Sequence, residues 1–76
     1  QNSVAVTQLG NGNISFSIPA GSRLDFMEVY DLNGTMVRKY TLTGANIIDQ
    51  FVPGFYHYKA FPADRSSVSI GKLVVY

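Results

Sequence analysis

Turn-forming residues interrupt this chain so often that a helical fold is ruled out at the outset. Gly10-Asn11-Gly12-Asn13, Pro19-Ala20-Gly21-Ser22, Asp31-Leu32-Asn33-Gly34, Thr43-Gly44, Pro53-Gly54 and the polar stretch from Pro62 to Ser66 divide it into short runs. Turn signals about every 8–12 residues accompany all-β sandwiches and barrels. Val, Ile, Thr, Tyr and Phe dominate between the breaks, Ala, Leu, Glu and Lys are scarce, and no helical apolar stripe persists. That is the composition of strands.

The runs predict seven short strands. The first spans about Val4 to Leu9, with Val4 and Val6 on one face. Asn11-Gly12 suits a tight hairpin, because both residue types tolerate positive φ. The second strand, Ile14 to Ile18, alternates cleanly, with Ile14, Phe16 and Ile18 inward and Ser15 and Ser17 outward. In the third, Leu24 to Tyr30, the pattern slips between Phe26 and Met27, which predicts a bulge or burial on both faces. The fourth runs from about Met36 to Leu42, with Met36, Tyr40 and Leu42 the expected inward set. A short fifth strand or loop covers Asn46 to Phe51, and Pro53-Gly54 reads as a turn. The sixth, Phe55 to Phe61, places Tyr56, Tyr58 and Ala60 on one face and Phe55, His57, Lys59 and Phe61 on the other. In the seventh, Val68 to Tyr76, the apolar parity changes after Gly71, so a bulge is expected there. An antiparallel Ig-like β-sandwich is the expected fold, with an open five- or six-stranded barrel as the alternative.

At 76 residues the chain makes a single domain. A domain this short buries only about 60% of its unfolded surface. With no Cys, neither a disulfide nor a thiolate metal site is available, so the core depends on the 46% of residues that are hydrophobic, including five Tyr and five Phe. Six Lys and Arg balance five Asp and Glu, leaving a formal charge of +1 and no basic field for nucleic acid. No apolar run reaches the roughly 20 residues that span a membrane as a helix. Because the chain opens on Gln1, it is expected to be one domain of a longer secreted protein, with any export signal upstream.

The residues offer little for catalysis. His57 is the sole imidazole and lies mid-strand, and no Gly-x-Ser-x-Gly elbow exists. Asp25 and Glu28 lie three apart on a strand, which points them to opposite faces. Asp31 opens a turn, where its carboxylate accepts backbone N–H groups. The calcium-loop reading of Asp31-Leu32-Asn33-Gly34 lacks its downstream Glu. Gly10-Asn11-Gly12 precedes a strand, not the helix a phosphate loop needs. Asn13-Ile14-Ser15 and Asn33-Gly34-Thr35 are formal glycosylation sequons that arise from turn composition. No cofactor is implied and no enzyme is expected. Phe51, Phe55, Tyr56, Tyr58 and Phe61 form the one aromatic group able to stack on sugar rings, though Trp, the commonest platform for that work, is absent. If Tyr56 and Tyr58 are core residues, sugar binding loses its best candidates.

Three landmarks occur in order: Val29-Tyr30-Asp31-Leu32-Asn33-Gly34, Val52-Pro53-Gly54-Phe55-Tyr56 and Lys72-Leu73-Val74. This series resembles the C-terminal sorting domain, type A, of the type IX secretion system of Bacteroidetes and their relatives. That family has a Tyr-Asp-Leu-x-Gly turn, a hydrophobic residue soon after it (matched by Val37), an Ala-Gly-x-Tyr-type element and a closing Lys-Leu-Val strand. The resemblance covers about Leu24 to Tyr76, while the Pro-Asn-Pro element that often opens the family has no counterpart in residues 1–18.

The resemblance implies an Ig-like sandwich that acts as an address, C-terminal to a passenger and without an active site. Its recognition residues would be Tyr30, Asp31, Leu32, Gly34, Val37, Pro53, Gly54, Tyr56, Lys72, Leu73 and Val74. The implied partners are the passenger, the outer-membrane secretion machinery and a sortase-like protease that removes the domain and can transfer the passenger to surface lipopolysaccharide. The implied location is the surface or exterior of a Gram-negative bacterium, reached through the periplasm. The last strand, from Gly71 to Val75, is expected to be an exposed edge read by strand addition. The alternative function is a carbohydrate-binding or spacer module of a secreted glycosidase.

Overall fold

A computed structural model of the chain describes residues 4–19, 21–42 and 46–76. Among them are seven strands and no helix: β1 (Ala5–Gly10), β2 (Asn13–Ser17), β3 (Leu24–Asp31), β4 (Met36–Thr41), β5 (Ile47–Gln50), β6 (Gly54–Pro62) and β7 (Ser69–Val75). They form two antiparallel sheets, ordered β1-β2-β5 and β4-β3-β6-β7. This is an Ig-like sandwich in which the fourth strand pairs with the third, not with the fifth as in antibody constant domains. The expected stop at Thr43-Gly44 and the Ala20 part of the Pro19–Ser22 break lie outside the described residues.

The β1–β2 hairpin turns on Asn11 and Gly12, both at positive φ (56° and 81°), as a two-residue turn requires. Gly12 also meets a packing demand. A Cβ there would lie 2.5 Å from the Phe51 carbonyl oxygen, and the Phe51 N–H donates to the Gly12 carbonyl at 2.9 Å. The hairpin is thereby tied to the start of the β5–β6 connection.

The core lies between the sheets. Ile14 and Phe16 enter from one, and Met27, Val29, Tyr58, Ala60, Leu73 and Val75 from the other. Phe16 is completely buried and sits among Tyr40, Phe51 and Tyr58, with ring centroids 5.7, 6.2 and 6.5 Å away. Tilted and edge-to-face pairs of this kind add about 0.5–1.5 kcal/mol each beyond area burial.

Three expectations about strand parity are corrected. The slip in β3 comes earlier than Phe26–Met27. Leu24 pairs with Pro62 and Phe26 with Phe61, so Asp25 is the extra residue. Leu24 and Met27 can then both face inward, while Phe26 stacks outside on Phe61, with centroids 4.6 Å apart and planes 11° apart. Met36 is not an inward residue and is 48% exposed. Tyr30 pairs with Met36 and Val29 with Arg38, which leaves Val37 as a bulge residue packed on the core.

Finally, β7 carries no bulge at Gly71, because its pairing with β6 runs unbroken from Gly54↔Val75 to Ala60↔Ser69. Gly71 faces the core, and its missing side chain makes room for Tyr58: a Cβ there would lie 2.3 Å from the Tyr58 ring. The Tyr58 hydroxyl then donates across the sandwich to the Val4 carbonyl at 3.4 Å. Ile70 stays outside, 68% exposed.

Candidate recognition site

The first landmark is shaped by Asp31. Its backbone N–H donates to the Thr35 carbonyl (3.0 Å), its carbonyl accepts from the Gly34 N–H (3.1 Å), and its carboxylate accepts from the N–H groups of Asn33 (2.9 Å) and Thr35 (3.0 Å). Gly34 completes the turn at φ 81°. With the main chain held in this way, Leu32 is carried on the tip, 75% exposed.

The second landmark is a bend at Pro53, not a hydrogen-bonded turn, since Gly54 is already paired with Val75 as the first residue of β6. Two contacts anchor the bend. Tyr56 packs edge-to-face on buried Phe51 at 5.4 Å, and its hydroxyl donates to the Val52 carbonyl at 2.6 Å. Strand alternation then turns Phe55 outward, 61% exposed.

The third landmark lies beside the second through register. Val74 pairs with Phe55, Leu73 with Tyr56 and Lys72 with His57. Leu73 is buried and Lys72 exposed. The Val74 carbonyl accepts a hydrogen bond from the Gln8 side-chain amide of β1.

Residues far apart in sequence thus meet in one mainly apolar groove of about 380 Å³. Leu32 contributes from the first landmark, Phe55 and Tyr56 from the second, and Lys72, Leu73 and Val74 from the third, with His57 completing the wall. Five residues singled out in the sequence (Leu32, Tyr56, Lys72, Leu73 and Val74) line it. Asp31 and Gly34 shape the turn beneath Leu32, and Pro53 and Gly54 set the start of β6. Val37 is turned toward the core, away from the groove.

Tyr30 lies on the outer face of the four-stranded sheet, stacked on His57 at 5.3 Å. Its hydroxyl donates to Glu28 at 2.5 Å. That hydrogen bond, with slight desolvation and the nearby negative charge, holds the phenol above its usual pKa.

His57 is outside the expected recognition set, and so is Phe55, although Phe55 stands in the second landmark and among the candidate sugar-stacking aromatics. Their outward alternation was readable, but not that the turn at Asp31 would close a wall beside them. Gln8 had no signal at all, since its partner lies 66 residues away.

The groove offers hydrophobic contact, one cation and backbone groups. Among the described residues no three His, Asp or Glu side chains gather to hold a metal ion. Tyr58 is buried and Tyr56 packs on the core, so neither presents a free face for stacking on a sugar. Among the described residues no helix is long and apolar enough to cross a membrane. In comparisons with known protein families, curated proteins and solved structures, nothing matches the chain.

Proposed function

We propose that the domain is a non-catalytic address, a sorting signal of the type IX secretion kind that directs an attached passenger to the outer-membrane machinery. One observation carries the reading: three separated landmarks, whose residues share no chemistry, converge on a single exposed apolar groove. Core packing alone does not require this. Leu32, Phe55 and Val74 could have been polar at no cost to the buried cluster, and contiguous exposed apolar surface marks interaction sites. On this reading Tyr30, Asp31, Gly34, Pro53, Gly54, Tyr56 and the buried Leu73 set the shape, and Leu32, Phe55, Lys72 and Val74 are what a receptor touches. Removal by a sortase-like protease would follow recognition.

The test is to fuse residues 1–76 behind a periplasmic reporter in a bacterium that has this secretion system. Surface delivery of the reporter is expected, with loss of delivery in the Leu32→Asp and Val74→Asp fusions. Retention of the wild-type fusion in the periplasm would overturn the proposal.

A further inference from the structure

β7 is one outer strand of the four-stranded sheet, so half its backbone hydrogen-bonding groups have no strand partner among the described residues. Their identity follows from Val74, whose carbonyl reaches Gln8 of β1 and is therefore turned away from β6. Backbone direction alternates along a strand, so Ile70 and Lys72 turn their N–H and C=O groups the same way. The side chains of these three residues share the outer face with Phe55 and His57. They read apolar, cationic, apolar, and Ile70 and Lys72 are well exposed.

Lys72 differs from its neighbours. The Lys39 and Lys59 ammoniums lie over the rings of Phe26 and Tyr30, at 4.8 and 5.2 Å. Asp49 is paired with Arg38, Glu28 accepts from Tyr30 and Asp31 is committed to its turn. Among the described residues Lys72 makes no ion pair.

We infer that β7 is a docking strand for an extended segment of another protein, reading apolar-x-acid-x-apolar, which adds to the sheet with its carboxylate opposite Lys72. Cross-strand neighbours on one face interact directly, and opposite charges there are favourable. The flanking apolar side chains would sit against Ile70 and against Val74, where the groove walled by Phe55 and Leu32 begins. A second copy of this chain is a poor occupant. Edge-to-edge pairing about Lys72 would set two ammoniums opposite each other, and an edge lysine of this kind discourages self-association. β7 has this role in sorting only on the reading of the domain as an address.

The experiment uses the intact domain and short synthetic peptides that alternate Thr with either Val-Glu-Val or Val-Lys-Val. Amide chemical shifts and hydrogen exchange are followed by NMR. The Glu peptide is expected to slow exchange at the Ile70, Lys72 and Val74 amides and to bind about five-fold more tightly than the Lys peptide. Lys72→Glu should reverse that preference, and Lys72→Gln should erase it. Equal binding of the two peptides, protection elsewhere than β7, or dimerisation of the free domain through β7 would each overturn the pairing. Failure of the reporter fusion to reach the surface would remove the address reading while leaving the peptide result intact, so the two failures are distinguishable.

Discussion

The two open sides of the sandwich are finished differently. Where β4 faces β5, polar groups bind the sheets together. Asp49 of β5 accepts from Arg38 Nε at 3.2 Å and from the Tyr40 hydroxyl at 2.7 Å, and the Arg38 guanidinium lies 5.3 Å from the Phe51 ring centre. Partial burial and then the Asp49 contact push the Tyr40 phenol well above its normal pKa. Burial works against the charge on Asp49, but the Tyr40 hydroxyl, the Gln50 N–H and Arg38 together hold its carboxyl below the usual range.

On the opposite side, where β1 faces β7, the polar link between the sheets' outer strands is Gln8 to the Val74 carbonyl, and among the described residues no strand pairs with the outer edge of β7. One side is closed by charge-assisted bonds and a bulge at Val37. The other has a well-packed inner face and an unpaired outer edge. A β-domain must blunt its edges to stay monomeric, and this one blunts β7 lightly, with one lysine and one glutamine.

Substitutions at four positions would break or sharpen this contrast. The largest effect is expected at Gly71, where the inner face of β7 is tightest. Gly71→Ala forces the Tyr58 ring off its site and should cost about 1–3 kcal/mol, read as a lower urea midpoint. A wild-type midpoint would mean that Tyr58 has room to move.

Next comes the closed side. Asp49→Ala should cost about 1 kcal/mol, a charge-assisted contribution discounted for solvent exposure. Because the folded-state pKa of Asp49 is depressed, its stabilisation is present above the unfolded value and disappears as pH falls below about 4. Thermal melts from neutral to acid pH should therefore show a smaller loss in Asp49→Asn than in wild type. Equal slopes would detach Asp49 from the acid response.

Gln8→Ala, on the open side, should cost less, about 0.5 kcal/mol, while exposing the Val74 carbonyl as one more free edge acceptor. A cost equal to that of Asp49→Ala would erase the contrast between the sides. Smallest in stability is Leu32→Asp, expected within about 0.5 kcal/mol of wild type by chemical denaturation, although the same change should abolish passenger delivery. A large loss of stability there would make Leu32 a structural residue and weaken its claim as a contact.

Much of this architecture is legible along the chain. The alternation of Ile14 and Phe16 with serines, the Asn11-Gly12 turn, and the two faces of β6 follow from local rules of strand geometry. The bulges were harder to place. An apolar residue displaced by one position, as between Leu24 and Met27, shows that a slip exists, but which residue is extruded depends on the partner strand. The apparent slip in β7 had another cause. Ile70 is exposed and Gly71 faces inward, because Tyr58 fills the space a side chain would need. The Pro53-Gly54 element read as a turn because proline restricts φ, yet Gly54 is drawn into pairing with Val75 from the far end of the chain.

The candidate groove shows the same division. The presence of Leu32, Phe55 and Val74 at outward positions could be read from turn chemistry and a two-residue period. Their convergence could not, since it depends on which strands become neighbours. By itself, the sequence determined the strand content, the hairpin and the inward sets of β1, β2 and β6, because those depend on residues within a few positions of one another. Only the tertiary structure decided that β6 and β7 pair in the register that opposes Phe55 to Val74, that Gly71 yields to Tyr58 and that Gln8 reaches β7. The physical reason is that register and close packing are set by contacts between residues tens of positions apart, whose energies no local pattern carries.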